Sequence, residues 1–501
     1  MKSFNRFFVT NTLAAGIFAL LWLVLRSGPK PSRFAYPCQQ AAFSAASLAF
    51  GAPVVSALIA ARRHIADGMR RPAGIIAVGA VIIGALGVSG LLDRAAATPV
   101  RQSSQPTEHR AQLVHVSGCP EDPVGDRFPG LDELMERLGF AGIKLHDSTT
   151  TTPYAGPGGI VAPDDVVVIK INYQWPQRGG SNTDVLRGLI RLVLDHPDGF
   201  SGEVVIAENT QFAGADDFDR VNNNAQDHGL SPRDVADHFA DLGHQVSLFD
   251  WTPIRFDSVG EYSSGDMQPG YVVYPYDAGL NGRISYPKFQ TDHGSYVSLR
   301  DGIWDPGAGA YDRDRLVVIN LPVLKSHHAT YGITACVKNY MGLVSAALDT
   351  NSHNGIAYGL MGAVMAATGP PDLHILDAIW VNADPHTGPT CSYDGATRRD
   401  ELVAGVDPVA IDRWAANNIL IPAMLDNGFS PPWPEPSADP DDPTSDFRIY
   451  LDNSMNALLA AGYASTNDLT RIDVDSVDLQ QQVFADGFEW GDANEWSRVE
   501  P

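Results

Sequence analysis

The sequence predicts an α/β fold: a mostly parallel sheet with helices on both faces, a β-rich insertion, and three N-terminal transmembrane helices ahead of it. Three observations lead there. Short β-branched runs alternate with amphipathic stretches at the spacing of a sheet covered on both sides. Residues 251–312 break that alternation with a Gly-, Tyr-, Pro- and Asp-rich segment. Within residues 1–92, three apolar stretches carry no charge.

Those stretches are 7–25, 41–60 and 72–92, each about the 20 residues that cross a bilayer as a helix. The Ala, Gly and Ser of the second and third suit close helix packing in lipid. A cleaved signal peptide is the alternative for the first, but Arg26 stands where a small-residue cleavage site belongs. Residues 1–101 hold 11 Lys and Arg against 2 Asp and Glu, whereas the remainder holds 24 against 57. Lys2 and Arg6, with Arg62, Arg63, Arg70 and Arg71, favour a cytoplasmic N-terminus and a soluble part facing the periplasm from the inner membrane. So acidic a soluble part would repel a phosphate backbone, which argues against nucleic acid as a partner.

Residues 93–112 read as a linker, and an α/β domain follows over 113–430. VVVIKI (166–171) is a continuous apolar run, as in a buried parallel strand. A helix is expected over 182–194, a strand at 203–208, a helix at 231–242 with Ser231 as N-cap and Pro232 at its first position, and a strand at 245–249. After the insertion come a strand at 316–321, helices around 332–345 and 356–367, a strand at 373–379, and a strand–helix pair over 401–420 with Asp407 as N-cap. Residues 431–501 read as an acidic segment and tail, with one helix near 453–462.

In parallel α/β sheets, ligands bind beyond the carboxyl ends of the strands. Lys170 and Asn172 close one strand there, Glu208 and Asn209 the next, and Asn320 a third. Lys325, Ser326, His327 and His328 follow, and Asp377 lies within a fourth. The chain has only seven lysines, and Lys170, Lys325 and Lys338 all fall at strand ends or helix starts. A compact ammonium with a tunable pKa does work a guanidinium cannot, so these lysines with His327 and Asp377 point to an anion-binding or acid–base site. His327 and His328 are neighbours in extended chain, so only one of them can face it.

Other chemistry finds little support. No GxxxxGK[ST], HExxH, GxSxG or complete GxGxxG is present. The four cysteines form no CxxC pair, so an iron–sulfur cluster is not expected. Cys119 and Cys391 are either a disulfide or two separate thiols. A divalent metal on Asp377, Asp384 and His386 stays open as a cofactor, although their spacing matches no ligand pattern and no metal ligand is assigned.

Over residues 160–425 the chain resembles the family catalogued as domain of unknown function 362. The resemblance is carried by VVVIKINYQ, by RLVVINLPVLKSHHATYGITACVKNYMGLVS with a following His353, by PDLHILDAIWVNADPHTGP, and by LVAGVDPVAIDRWAA. Lys325-Ser326-His327 looks like the family's lysine–threonine–histidine segment, with serine in place of threonine. Lys338-Asn339-Tyr340-Met341-Gly342 looks like its lysine–asparagine–x-x-glycine segment. Lys170-Ile171-Asn172 stands where the family shows lysine–proline–asparagine. The resemblance implies a fold and no established reaction. Many relatives carry iron–sulfur modules, which this chain lacks. The closing FADGFEWGDANEWS is similar to short tails on some secreted or surface proteins of Gram-negative bacteria.

Together these residues lead us to expect a membrane-anchored, extracytoplasmic enzyme for a small carboxylate or phosphate. Lys325, His327 and Asp377 would be catalytic, and Lys170, Asn172, Lys338, Asn339 and His353 would bind substrate. A non-catalytic sensing module and an envelope assembly protein are the alternatives.

Overall fold

In the computed structural model, residues 109–480 are described, apart from 121–122, 212–216, 226–228, 328–330 and 435–436. The three apolar stretches and His328 lie outside them. Among the described residues, no helix is long and apolar enough to cross a membrane.

A ten-stranded sheet forms the core. In chain order the elements are β1 (Ala111–Ser117), α1 (Pro129–Phe140), β2 (Val166–Ile171), α2 (Thr183–Leu194), β3 (Glu203–Glu208), α3 (Pro232–Asp241) and β4 (Val246–Asp250). The insertion contributes β5 (Gly270–Val273), β6 (Ser285–Gln290), β7 (Tyr296–Ser298), β8 (Gly302–Asp305) and β9 (Ala310–Asp312). Then follow β10 (Leu316–Leu321), β11 (Val323–His327), β12 (Gly332–Thr334), α4 (Cys336–Asn339), α5 (Leu360–Thr368), β13 (Leu373–Asn382), β14 (Thr397–Gly405), α6 (Pro408–Ala415), α7 (Asp446–Ala460) and β15 (Ile472–Asp478).

The main sheet runs β15-β1-β14-β13-β10-β2-β3-β4, with β11 paired to β13 and β12 to β11. Its half from β13 through β4 is parallel, while β14 is antiparallel to both neighbours. The β-branched runs explain the parallel half, because alternate residues of each strand enter opposite cores. Val166, Val168, Val205 and Val318 pack on one face, against Met361, Val364, Ile411 and Leu451. Val167, Ile169, Ile206 and Ile319 pack on the other, against Leu134, Leu189, Val235 and Phe239. Helices therefore cover both faces. The insertion is a separate antiparallel meander, β9-β8-β7-β6-β5.

Local chemistry sets the helix starts. Asn182 caps α2, Ser231 forms a capping box with Asp234 at α3, and Asp407 caps α6 ahead of Pro408.

Four expectations need correcting. Residues 111 and 112 are not linker but the start of β1, an interior strand of the main sheet. The helix expected around 332–345 is instead a short strand, one helical turn and a 3-10 turn, since Gly332 has φ 74° and Gly342 stands at a close approach. The C-terminal segment is not merely tail: Ile472–Asp478 pairs with β1 as an edge strand. Its acidic alternation hid it, yet charge on an edge strand is how sheets avoid pairing with other chains. The helix expected near 453–462 runs from Asp446 to Ala460, capped by Ser445.

Candidate functional site

A small cavity of about 230 Å³ opens at the carboxyl ends of β2 and β3, below the roughly 300–1,000 Å³ of drug-sized sites. The strands deliver Asn172 and Glu208, β11 delivers Lys325 and His327, α4 delivers Lys338 and Asn339, and the turn Ser352–Gly355 delivers His353. Gln174, Trp175, Thr334, Met341, Gly342 and Pro389 complete the lining.

The position of α4 comes from a distant helix. Asp412 of α6 accepts from the backbone N–H groups of Cys336 and Val337 at 2.7 and 2.9 Å, fixing the start of the turn that carries Lys338. Asn339 donates to Asn320 Oδ1 at 2.7 Å, tying the same turn to β10. From β3, the Asn209 N–H donates to the Gly342 carbonyl at 3.0 Å, and Gln211 donates to the carbonyls of Met341 and Val344. Gly342 is required here: a Cβ would stand 2.2 Å from Glu208 Oε1 and 2.6 Å from Lys170 Nζ.

The three lysines are buried but differently partnered. Lys170 lies beneath the cavity, donating to the Ile171 and Asn339 carbonyls at 2.9 and 2.5 Å and contacting Glu208 Oε2 at 2.6 Å. Burial pushes the Glu208 carboxyl up to about 8 against the pull of Lys170, and burial holds Lys170 below the ordinary lysine range. Lys325 donates to Asn172 Oδ1 at 3.2 Å and to the Gly179 carbonyl at 2.5 Å. Burial, with the like charge of Lys338, brings it down to about 7. Lys338 is 5% exposed, and its Nζ has no hydrogen-bond or ion-pair partner among the described residues. Burial alone brings it to about 7.

Two imidazoles share this field. His327 Nδ1 lies 2.6 Å from Thr334 Oγ1, and burial, then Lys338 and Lys325, holds it well below its ordinary value as a neutral ring. His353 falls to about 4 through burial and then Lys338.

Asp377 does not line the cavity. It shares its face of β13 with Ile375 and Ile379, which pack on the side opposite to Val166 and Val168. There it accepts from Asn224 Nδ2 at 2.7 Å, from the Ile379 N–H at 3.0 Å and from the Asn182 N–H at 3.3 Å, and burial raises it to about 6. The carboxylate at the cavity is Glu208. The sequence places it at a strand end, but only the fold shows which strand end meets α4. Thr334, Trp175 and Met341 carry no sequence signal that singles them out. Cys119 and Cys391 are both free thiols, each buried, and no bridge joins them. Among the described residues, no group of three His, Cys, Asp or Glu side chains is placed to hold a metal ion.

These features define an α/β protein with a lysine- and histidine-lined cavity at a strand-end rim. Residues 312–417 match the family model described as "Domain of unknown function (DUF362)", a stretch that includes Lys325, His327, Lys338, Asn339 and His353. No curated protein and no solved structure matches the chain.

Proposed function

We propose that this chain is an enzyme that binds a small carboxylate- or phosphate-bearing molecule and moves protons on it with lysine and histidine. One observation carries the reading. Lys325 and Lys338 are buried together at one small cavity, and no described carboxylate neutralises Lys338. Two such cations in a low-dielectric hollow repel each other, and an anion between them would relieve both burial and repulsion. His327, kept neutral and braced by Thr334, suits proton transfer. Glu208, rather than Asp377, is the carboxyl group in reach.

In this reading the catalytic domain is held outside the cytoplasmic membrane by the three uncharged stretches within residues 1–92. A thermal-shift series on the full chain tests the site, using inorganic phosphate, sulfate, oxalate and pyruvate against uncharged glycerol. The anions should raise Tm in the wild type and not in Lys325→Met. An equal response to glycerol, or an unchanged response in the variant, would refute the site.

A further inference from the structure

We infer that Lys338 is an amine nucleophile that condenses with the carbonyl carbon of a small 2-oxo carboxylate, whose carboxylate is received by Lys325. This rests on the anion site proposed above and adds the substrate class and the reacting atom.

The nitrogens of the three lysines separate the roles. Lys170 is held by the Ile171 and Asn339 carbonyls and by its ion pair with Glu208, and so is part of the scaffold. Lys325 keeps its ammonium through Asn172 Oδ1 and the Gly179 carbonyl, which leaves one proton for a ligand. Lys338 meets no acceptor among the described residues, so nothing there holds its proton. A desolvated amine next to a second cation is the setting in which lysine becomes a nucleophile at neutral pH. Its fall to about 7 agrees with that. The cavity of about 230 Å³ limits the partner to a few heavy atoms.

The chemistry balances without a further reagent. The Lys338 lone pair forms the C–N bond while the carbonyl π pair moves to oxygen. A proton passes from nitrogen to that oxygen by way of His327, giving a carbinolamine. The nitrogen lone pair then forms C=N as the hydroxyl takes the second amine proton and leaves. Both protons end on one water, and no electron is gained or lost.

Borohydride trapping tests this. The full chain in detergent is incubated with pyruvate, treated with sodium borohydride and read by intact mass and peptide mapping. One reduced adduct per chain is expected on Lys338, absent without pyruvate, absent in Lys338→Met and in Lys338→Arg, and strongly reduced by excess oxalate. Circular dichroism verifies that both variants fold. If oxalate and pyruvate bind by calorimetry but no adduct forms, or the adduct maps to another lysine, the nucleophile is refuted and the anion site stands. If no anion binds, both fail.

Discussion

Two buried lysines, one in the insertion and one at the sheet rim, look alike in burial and differ in everything else. Lys288 of β6 is fully buried, donates to the Gly260 and Asp266 carbonyls at 2.6 and 2.5 Å, and lies 4.3 Å from the centroid of the Tyr262 ring. Its charge is met by oxygen and by a π-face, so it is a strut of the meander. Lys338 is nearly as buried and meets no such group among the described residues. Burial of a cation is therefore not the functional signal. Burial without compensation is, because an isolated buried charge is costly unless a ligand or a lost proton relieves it.

Three substitutions sharpen that contrast. Lys170→Met should be the most damaging, at about 3–5 kcal/mol in urea denaturation, since it strands the buried carbonyls of Ile171 and Asn339 and removes the partner of buried Glu208. A loss below about 1 kcal/mol would mean that these contacts do not hold the rim together. Lys288→Met should cost about 1–3 kcal/mol by stranding the two carbonyls of its cradle, with anion binding intact. Lys338→Met should instead raise stability by about 1 kcal/mol near neutral pH while removing anion binding. Its sign follows from linkage. The folded-state pKa of about 7 lies below the ordinary 10.5, so the folded protein binds fewer protons between those values. Wild-type stability should then rise with pH across that window relative to the variant, and the gap should close above it. A variant less stable than wild type at every pH would assign Lys338 a structural role.

The lysines were legible in the sequence because a chain so poor in lysine keeps three at the punctuation of its strands and helices. The β-branched runs located β2, β3 and β10 to the residue, since each is only six residues long and rich in Val and Ile, too short for a helix. Asp377 shows where such reading fails. It lies in the middle of β13 rather than near a strand end, and the side it faces depends on register, since one step along β13 turns a side chain to the other core. The turn carrying Lys338 was read as a longer helix because its local composition permits one. Its actual shape is set by contacts from Asp412, Asn209 and Gln211, far away in sequence. β1 and β15 escaped for a related reason: each is defined by the other strand it pairs with.

The most direct test of the central claim is calorimetric titration of the full chain with sulfate, whose own charge is constant between about pH 6 and about pH 9. Affinity should fall at least tenfold over that range, as Lys325 and Lys338 lose their protons near 7, and Lys338→Met should show no binding at either pH. Binding that is independent of pH, or that survives in Lys338→Met, would contradict a site built on these two amines.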